Sequence, residues 1–390
     1  MILRYFPPMG VYETLFRFTS ATQAAMGDPG THPWAQGFPL TTQVPGGPTL
    51  PDTIRLTAAD RMYPKADGQP PLREAIARYY RDTYGANVTA DHVAVFAGGR
   101  PAIFAILAFL QPGVQVAVEE TEYTPYWDVL ELLGNDYAII PSNEQNRFRP
   151  TLADHPAGER MMLLKSNPCN PTGVATLGAD LAALVQHYSQ PGRSAIFDEA
   201  YEFMCDPEPE SALKHIPDLD ATDLFVIGAA TKGLQVPGLR VGWVVTSRAQ
   251  AELFRNYSSL GMGGVSRASQ LYVTDLLEPA RVRHARAAIN AFYTSQRARY
   301  GAALAELGVE LYSGDGGFYH WGRLPHGLTG DRFNERLFAH KAGILPGRLC
   351  DMQRRGDGGA MGSLFRFSFG PLSPDSFDED VAILRQCLRA

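Results

Sequence analysis

Short apolar runs of four or five residues, separated by helix-length segments, recur through the middle of the chain. No other feature constrains its fold as strongly. Runs at 92–96, 114–118, 160–164, 194–197, 224–228 and 241–245 read as strands, with helical patterns at 101–110, 126–133 and 181–187 between several of them. A strand that is apolar along its whole length has no face to offer water. The pattern therefore implies an α/β fold: a mostly parallel sheet flanked by helices on both faces. Such sheets bind ligands beyond the carboxyl ends of their strands, so the residues just past each run are the first to search for chemistry.

The flanks differ in character. Residues 1–50 are rich in Pro and Gly, as in Gly27-Asp28-Pro29-Gly30, and read as an irregular arm that must lie on its own body or on a partner. From Pro70 the pattern turns helical, with Leu72, Ala75, Ile76, Tyr79 and Tyr80 on one face. Beyond about residue 280 come a long Arg- and Ala-rich helix (280–307), a β segment (317–324), a helix (333–341), a strand (364–369) and a final helix. The expected organisation is an arm over 1–50 belonging to the small domain, a large domain over 51–280 and a smaller α+β domain over 281–390.

Composition removes several classes of function. An apolar share of 45% with 19% charged residues excludes a disordered chain. A formal net charge of −6 without any Lys/Arg block argues against nucleic acid as partner. No apolar run approaches the ~20 residues that span a bilayer. The start, Met-Ile-Leu-Arg-Tyr-Phe-Pro-Pro, lacks the form of a signal peptide. Cys169, Cys205, Cys350 and Cys387 are far apart and read as reduced thiols of a cytoplasmic protein. The nine histidines show no metal-ligand spacing, so no metal is expected.

Four strand ends carry chemistry. Gly98-Gly99-Arg100-Pro101 follows one run and opens a helix, where free N–H groups attract an anion. An ordinary glycine turn is the bland alternative. Ser166-Asn167-Pro168-Cys169-Asn170-Pro171-Thr172-Gly173 follows another, and its two Asn-Pro steps force extended backbone while aiming amides at the ligand edge. Asp198, ending the run before Glu199-Ala200-Tyr201, is either paired in the interior or functional. Glu199 beside it reads as exposed or held in a structural ion pair. Lys232, in Thr231-Lys232-Gly233-Leu234-Gln235-Val236-Pro237-Gly238-Leu239-Arg240, is one of only five lysines in 390 residues. Lys165 also sits at a strand end but lacks the Pro-Gly-Leu-Arg anchor that follows Lys232.

In this order, Asn-Pro-x-Asn-Pro-Thr-Gly, Asp-x-x-Tyr and Lys-x4-Pro-Gly-x-Arg resemble the aspartate aminotransferase superfamily. These are pyridoxal 5′-phosphate (PLP) enzymes of fold type I, aminotransferase class I/II, and the resemblance runs from Gly37 to Arg366. It implies that Lys232 forms a Schiff base with PLP and shuttles a proton. It further implies that Asp198 pairs with the pyridine nitrogen, that Asn170 and Tyr201 bond the phenolic oxygen, and that Tyr123 covers one ring face. Backbone at Gly98, Gly99 and Arg100, with the Arg240 side chain, would hold the phosphate. Tyr63 matches a tyrosine donated to the phosphate by the neighbouring subunit of a homodimer, and the 261–267 loop belongs to the same shared region. Arg366 would clamp the substrate carboxylate, with Gly37 of the arm and Asn170 beside it. The implied reaction moves an amino group between an amino acid and a 2-oxo acid, with neither membrane nor nucleic acid involved.

Two departures leave room for another chemistry. Ala229 stands where the superfamily usually has a serine that touches the phosphate, and Thr231 is a candidate substitute. Arg348 stands where many relatives have a small residue. It is read first as a solvated loop arginine and alternatively as a recogniser of acidic or hydroxylated substrates. With the aromatic stretch Phe318-Tyr319-His320-Trp321, these keep open a PLP-dependent lyase, cyclase or oxidase acting on a modified amino acid in specialised biosynthesis. A regulator would need an added DNA-binding module, for which there is no basic segment.

Overall fold

A computed structural model describes every residue except 1, 4, 6–9, 357 and 390. Its larger sheet has seven strands: β1 (Val93–Phe96), β2 (Gln115–Glu119), β3 (Tyr137–Ile140), β4 (Met161–Ser166), β5 (Arg193–Asp198), β6 (Leu224–Ala229) and β7 (Gly242–Val245). They lie in the order β1-β7-β6-β5-β4-β2-β3. The five strands from β6 to β3 in that order pair in parallel, while β7 runs antiparallel to both β6 and β1. The carboxyl ends of β1, β2, β4, β5 and β6 and the start of β7 therefore share one edge.

The period of two along each strand divides its side chains between two cores. In β5, Ala195 and Phe197 enter the core on one face of the sheet and Ile196 enters the core on the other. The same split separates Val226 from Phe225 and Ile227 in β6. Around the sheet are the helices α2 (Pro70–Tyr84), α3 (Gly99–Ala108), α4 (Pro125–Leu133), α5 (Gly178–Tyr188), α6 (Arg248–Tyr257) and α7 (Arg267–Leu276). Proline occupies the first turn of α2 and of α4, where no N–H bond is lost.

The 28-residue helix α8 (Pro279–Glu306) leads to a second, antiparallel sheet. It is built from β8 (Glu310–Leu311), β9 (Tyr319–Arg323), β10 (Leu345–Pro346) and β11 (Leu364–Ser368), in the order β10-β11-β9-β8. Helices α9 (Gly330–Phe338) and α10 (Phe377–Arg389) follow the chain through this unit. The leading 50 residues are not irregular throughout: α1 (Val11–Thr22) forms within them. Phe18 is fully buried, and Val11 and Leu15 pack in the same cluster as Trp321, Leu345 and Leu364. Helix spacing of these few apolar residues goes unnoticed in a Pro/Gly-rich stretch, because the helix is stabilised by the surface it covers. Among the described residues, no helix is long and apolar enough to cross a membrane.

Candidate active site

The shared edge of the sheet holds a cleft of about 560 Å³ lined by Gly99, Arg100, Tyr123, Asn170, Asp198, Tyr201, Lys232 and Arg240, with Ser166, Ala200, Ala229 and Thr231. All of the first eight except Tyr123, which the resemblance alone pointed to, come from a strand end singled out in the sequence. Gly98 makes the turn from β1 into α3 with φ +105°, a conformation that favours glycine, and a Cβ there would strike the Arg240 guanidinium. No side chain caps α3, so its first N–H groups face the cleft edge without such a partner. Arg240 donates to the carbonyls of Ala97 and Pro237, both at 3.1 Å, which fixes its side chain across the same corner.

Asp198 ends β5 and is buried. Its Oδ2 accepts from the Tyr126 hydroxyl at 2.9 Å and its Oδ1 from the Ala200 N–H at 3.2 Å. Burial raises its pKa, and these bonds together with Lys232 oppose the rise. Among the described residues it makes no salt bridge within 4 Å. A cationic or protonated nitrogen brought to it would meet an unpaired carboxylate.

Lys232 lies just beyond β6, its amine donating to the Gly37 carbonyl and standing 5.7 Å from the Tyr201 ring centre. Burial first, then the positive charges of Arg366, Arg100 and Arg240, bring its pKa down to about 7, with Asp198 opposing them. An amine poised near neutrality can both attack a carbonyl carbon and carry a proton.

Arg366, on β11, is buried without an acidic partner among the described residues. Its Nη1 donates to Asn170 Oδ1 at 2.7 Å, its Nη2 donates to the Ala35 carbonyl at 2.6 Å, and its Nε has no partner. The guanidinium lies 4.3 Å from the Tyr319 ring centre. A buried guanidinium with a free donor is a receptor for a carboxylate. Gly37 packs close to Tyr319, and a side chain there would collide with the Tyr319 hydroxyl.

Tyr63 is 94% exposed and does not reach this cleft on its own chain. Arg348 is neither a solvated loop residue nor part of the cleft. It is bound to Asp331 at 2.7 Å and to Glu13, tying α1 to α9. Four acidic oxygens within reach of one fork hold it away from the cleft. Glu199 is likewise neither exposed nor ion-paired: it is buried, accepts from Ala212 N–H at 2.7 Å, and has its pKa raised by burial and by Glu202. Lys165 is buried in an ion pair with Glu119.

Two residues that shape the site were missed in the sequence. Tyr126 reads only as an apolar position of α4, yet it bonds Asp198. Tyr319 sits in the aromatic stretch after Gly316-Gly317, and its hydroxyl lies 2.5 Å from that of Tyr201. The paired glycines before it were the available signal. No group of three or more His, Cys, Asp or Glu among the described residues is placed to hold a metal.

The family model described as "Aminotransferase class I and II" matches residues 47–374. An LL-diaminopimelate aminotransferase of Dehalococcoides mccartyi is 26% identical over 342 residues, covering 80% of this chain and 83% of that protein. A valine–pyruvate aminotransferase of Mycobacterium tuberculosis is 28% identical over 346 residues, covering 83% and 84%. In structure, the chain is similar to the aspartate aminotransferase from Thermus thermophilus with maleate. The TM-score is 0.81 at 20% identity, with 99% of this chain and 100% of that one covered.

Proposed function

Because this chain belongs to the class I and II aminotransferase family, we propose that it moves amino groups between an amino acid and a 2-oxo acid using PLP bound in the cleft described above. The enzyme is a transaminase; the cofactor's seat and the role of each residue are our reading. The cleft fits the cofactor's three chemical features. The uncapped start of α3 with Arg240 suits a phosphate, unpaired Asp198 suits a ring nitrogen that carries a proton, and Tyr201 with Asn170 suits a phenolic oxygen. Ala229 contributes no hydroxyl, and Thr231, which also lines the cleft, is the candidate to supply one.

When bound, PLP supplies the electron sink that lets a proton leave the amino acid's Cα. The chain's own groups do the rest. Lys232 would hold the cofactor's aldehyde carbon and then move the proton, Asp198 would keep the ring nitrogen protonated, and Tyr123 would lie over the ring. Arg366 would fix the substrate carboxylate beside Gly37 and Asn170, which orients the Cα–H bond toward Lys232. The observation that carries this reading is a cleft that holds the buried Lys232 amine and the Asp198 carboxylate, with the Arg366 guanidinium, its Nε free, joined to the cleft wall through Asn170. The names of the relatives, all aminotransferases, favour transfer over the lyase, cyclase or oxidase alternative.

Our reading also includes a homodimer with shared sites, a cytoplasmic location, and the division into arm (1–50), large domain (51–280) and small domain (281–390). Support for the dimer is the exposed pair Tyr63 and Leu260 on segments joined by the Arg267–Asp60 ion pair. The test is direct. Purified protein mixed with PLP should show a visible absorption band that K232A lacks, and should convert an amino acid and a 2-oxo acid to their exchanged products. Mixing inactive K232A with inactive Y63A subunits should restore partial activity. Absence of the band in the parent protein would overturn the cofactor assignment.

A further inference from the structure

Glu122 stands directly behind the cleft wall made by Tyr123 and Ser166, and nothing in the reaction outlined above uses it. Its side chain is fully buried. Oε1 accepts from the Tyr123 N–H at 2.7 Å and from the Ser166 hydroxyl, while Oε2 accepts from the Ser166 N–H at 3.1 Å. Ser166 Oγ in turn accepts from the Asn170 N–H at 3.0 Å. Asn170 then accepts from Arg366 through Oδ1. One carboxylate thus anchors the backbone beneath Tyr123 and, through one serine, the loop that carries Asn170.

That network is built for the anion. A protonated carboxyl has a donor to place, and the nearest acceptor is Ser166 Oγ, whose own hydrogen must then turn elsewhere. The setting opposes the anion: burial and Glu119 raise the pKa to about 8, against Ser166, Lys165 and the Tyr123 N–H, which lower it. The groups facing it from packed elements are few. Lys165 on β4 is paired with Glu119. Cys169, Cys350 and Tyr126 all have their pKa raised by burial and face Glu122 as neutral groups. Glu120 turns away to Asn143 and Arg355.

We propose that Glu122 is a positioning residue of the amino-transfer site, whose carboxylate holds Tyr123 and the Asn170 loop in register with the bound cofactor and whose protonation lets Ser166 turn away. This rests on the reading that Tyr123 and Asn170 face PLP. Titration of Glu122 then changes the site's geometry without changing the charge of any group that touches substrate.

The test is the visible circular dichroism of the holoenzyme, which senses how the site holds the cofactor ring, titrated from about pH 6 to about pH 10. The PLP dissociation constant is measured alongside. The wild type should show a step with midpoint near 8. E122Q should lose that step and bind PLP about tenfold more weakly at the alkaline end, as expected for losing hydrogen bonds to a charged acceptor. S166A should keep the step but move it to higher pH, because the Ser166 hydroxyl is among the groups that lower the Glu122 pKa. It also serves should E122Q fail to fold. The same step at the same midpoint in both variants would assign the titration to another group and overturn the proposal. If the wild type binds no PLP, the cofactor reading falls with it; if PLP binds and only the Glu122 signature is missing, the cofactor reading stands.

Discussion

Arg366 Nη1 lies 2.7 Å from Asn170 Oδ1, joining the small antiparallel sheet to the loop beyond β4 across 196 residues of sequence. The bond aims the guanidinium and uses one of its donors, while the buried Nε is left without a partner. A carboxylate arriving there would find a donor that folding alone leaves free.

Replacing Arg366 with Lys keeps the charge but removes the planar fork. KM for both the amino acid and the 2-oxo acid should rise, and kcat/KM should fall about 100-fold, equivalent to about 2.7 kcal/mol. Steady-state kinetics on either half of the reaction measures this. A loss confined to one of the two substrates would remove Arg366 from the shared carboxylate site.

Lys232 loses its proton near 7 in the folded chain and near 10.5 when unfolded. Between those values the unfolded state holds the extra proton, so the stability of the cofactor-free protein should rise as pH increases through that window and stay level below it. K232M should flatten the curve and stabilise the cofactor-free protein near neutrality by a few kcal/mol, at about 1.4 kcal/mol per pH unit. Denaturant unfolding across the window reads both effects. A wild-type curve that declines from neutral to alkaline pH contradicts the assignment.

Y126F removes the phenol that donates to Asp198 at 2.9 Å and lowers its pKa. The carboxyl pKa should rise further, and PLP affinity or kcat should drop about 10- to 100-fold, in line with ~1.5–3 kcal/mol for a hydrogen bond to a charged group. Cofactor titration and turnover together report it. Wild-type values for both would leave Tyr126 with a packing role only.

R348A should lower stability by about 1–3 kcal/mol through loss of the Asp331 and Glu13 pairs. kcat/KM for acidic and neutral amino acids should stay unchanged. Thermal unfolding beside a substrate panel separates the two roles. A selective loss of acidic substrates would return Arg348 to the active site.

Much of the large sheet was legible because its runs obey a period of two and its helices a period of 3.6. The elements that escaped were β3, whose residues are only half-buried until Ile140, α1, whose apolar face is short, the helices α6 and α7, and the two-residue strands β8 and β10. Within the site, Lys232, Asp198, Asn170, Arg240 and Tyr201 were readable from strand ends. Tyr126, Tyr319 and Glu122 were not, since each resembles an ordinary core or turn residue until its partner is known.

The sequence by itself determined six of the large sheet's seven strands, which residues follow their carboxyl ends, and so which lysine and which aspartate share a cleft. This is local information, carried by hydrophobic spacing and by the conformational demands of Gly and Pro. The tertiary structure alone decided the partners. Arg348 turned to Asp331 and Glu13, Glu199 became buried, and Glu122 came to join Tyr123 to Ser166. Those outcomes depend on how separate elements pack, whether their partners lie 17, 44 or 335 residues away, because a buried polar group must find its partners wherever close packing brings them.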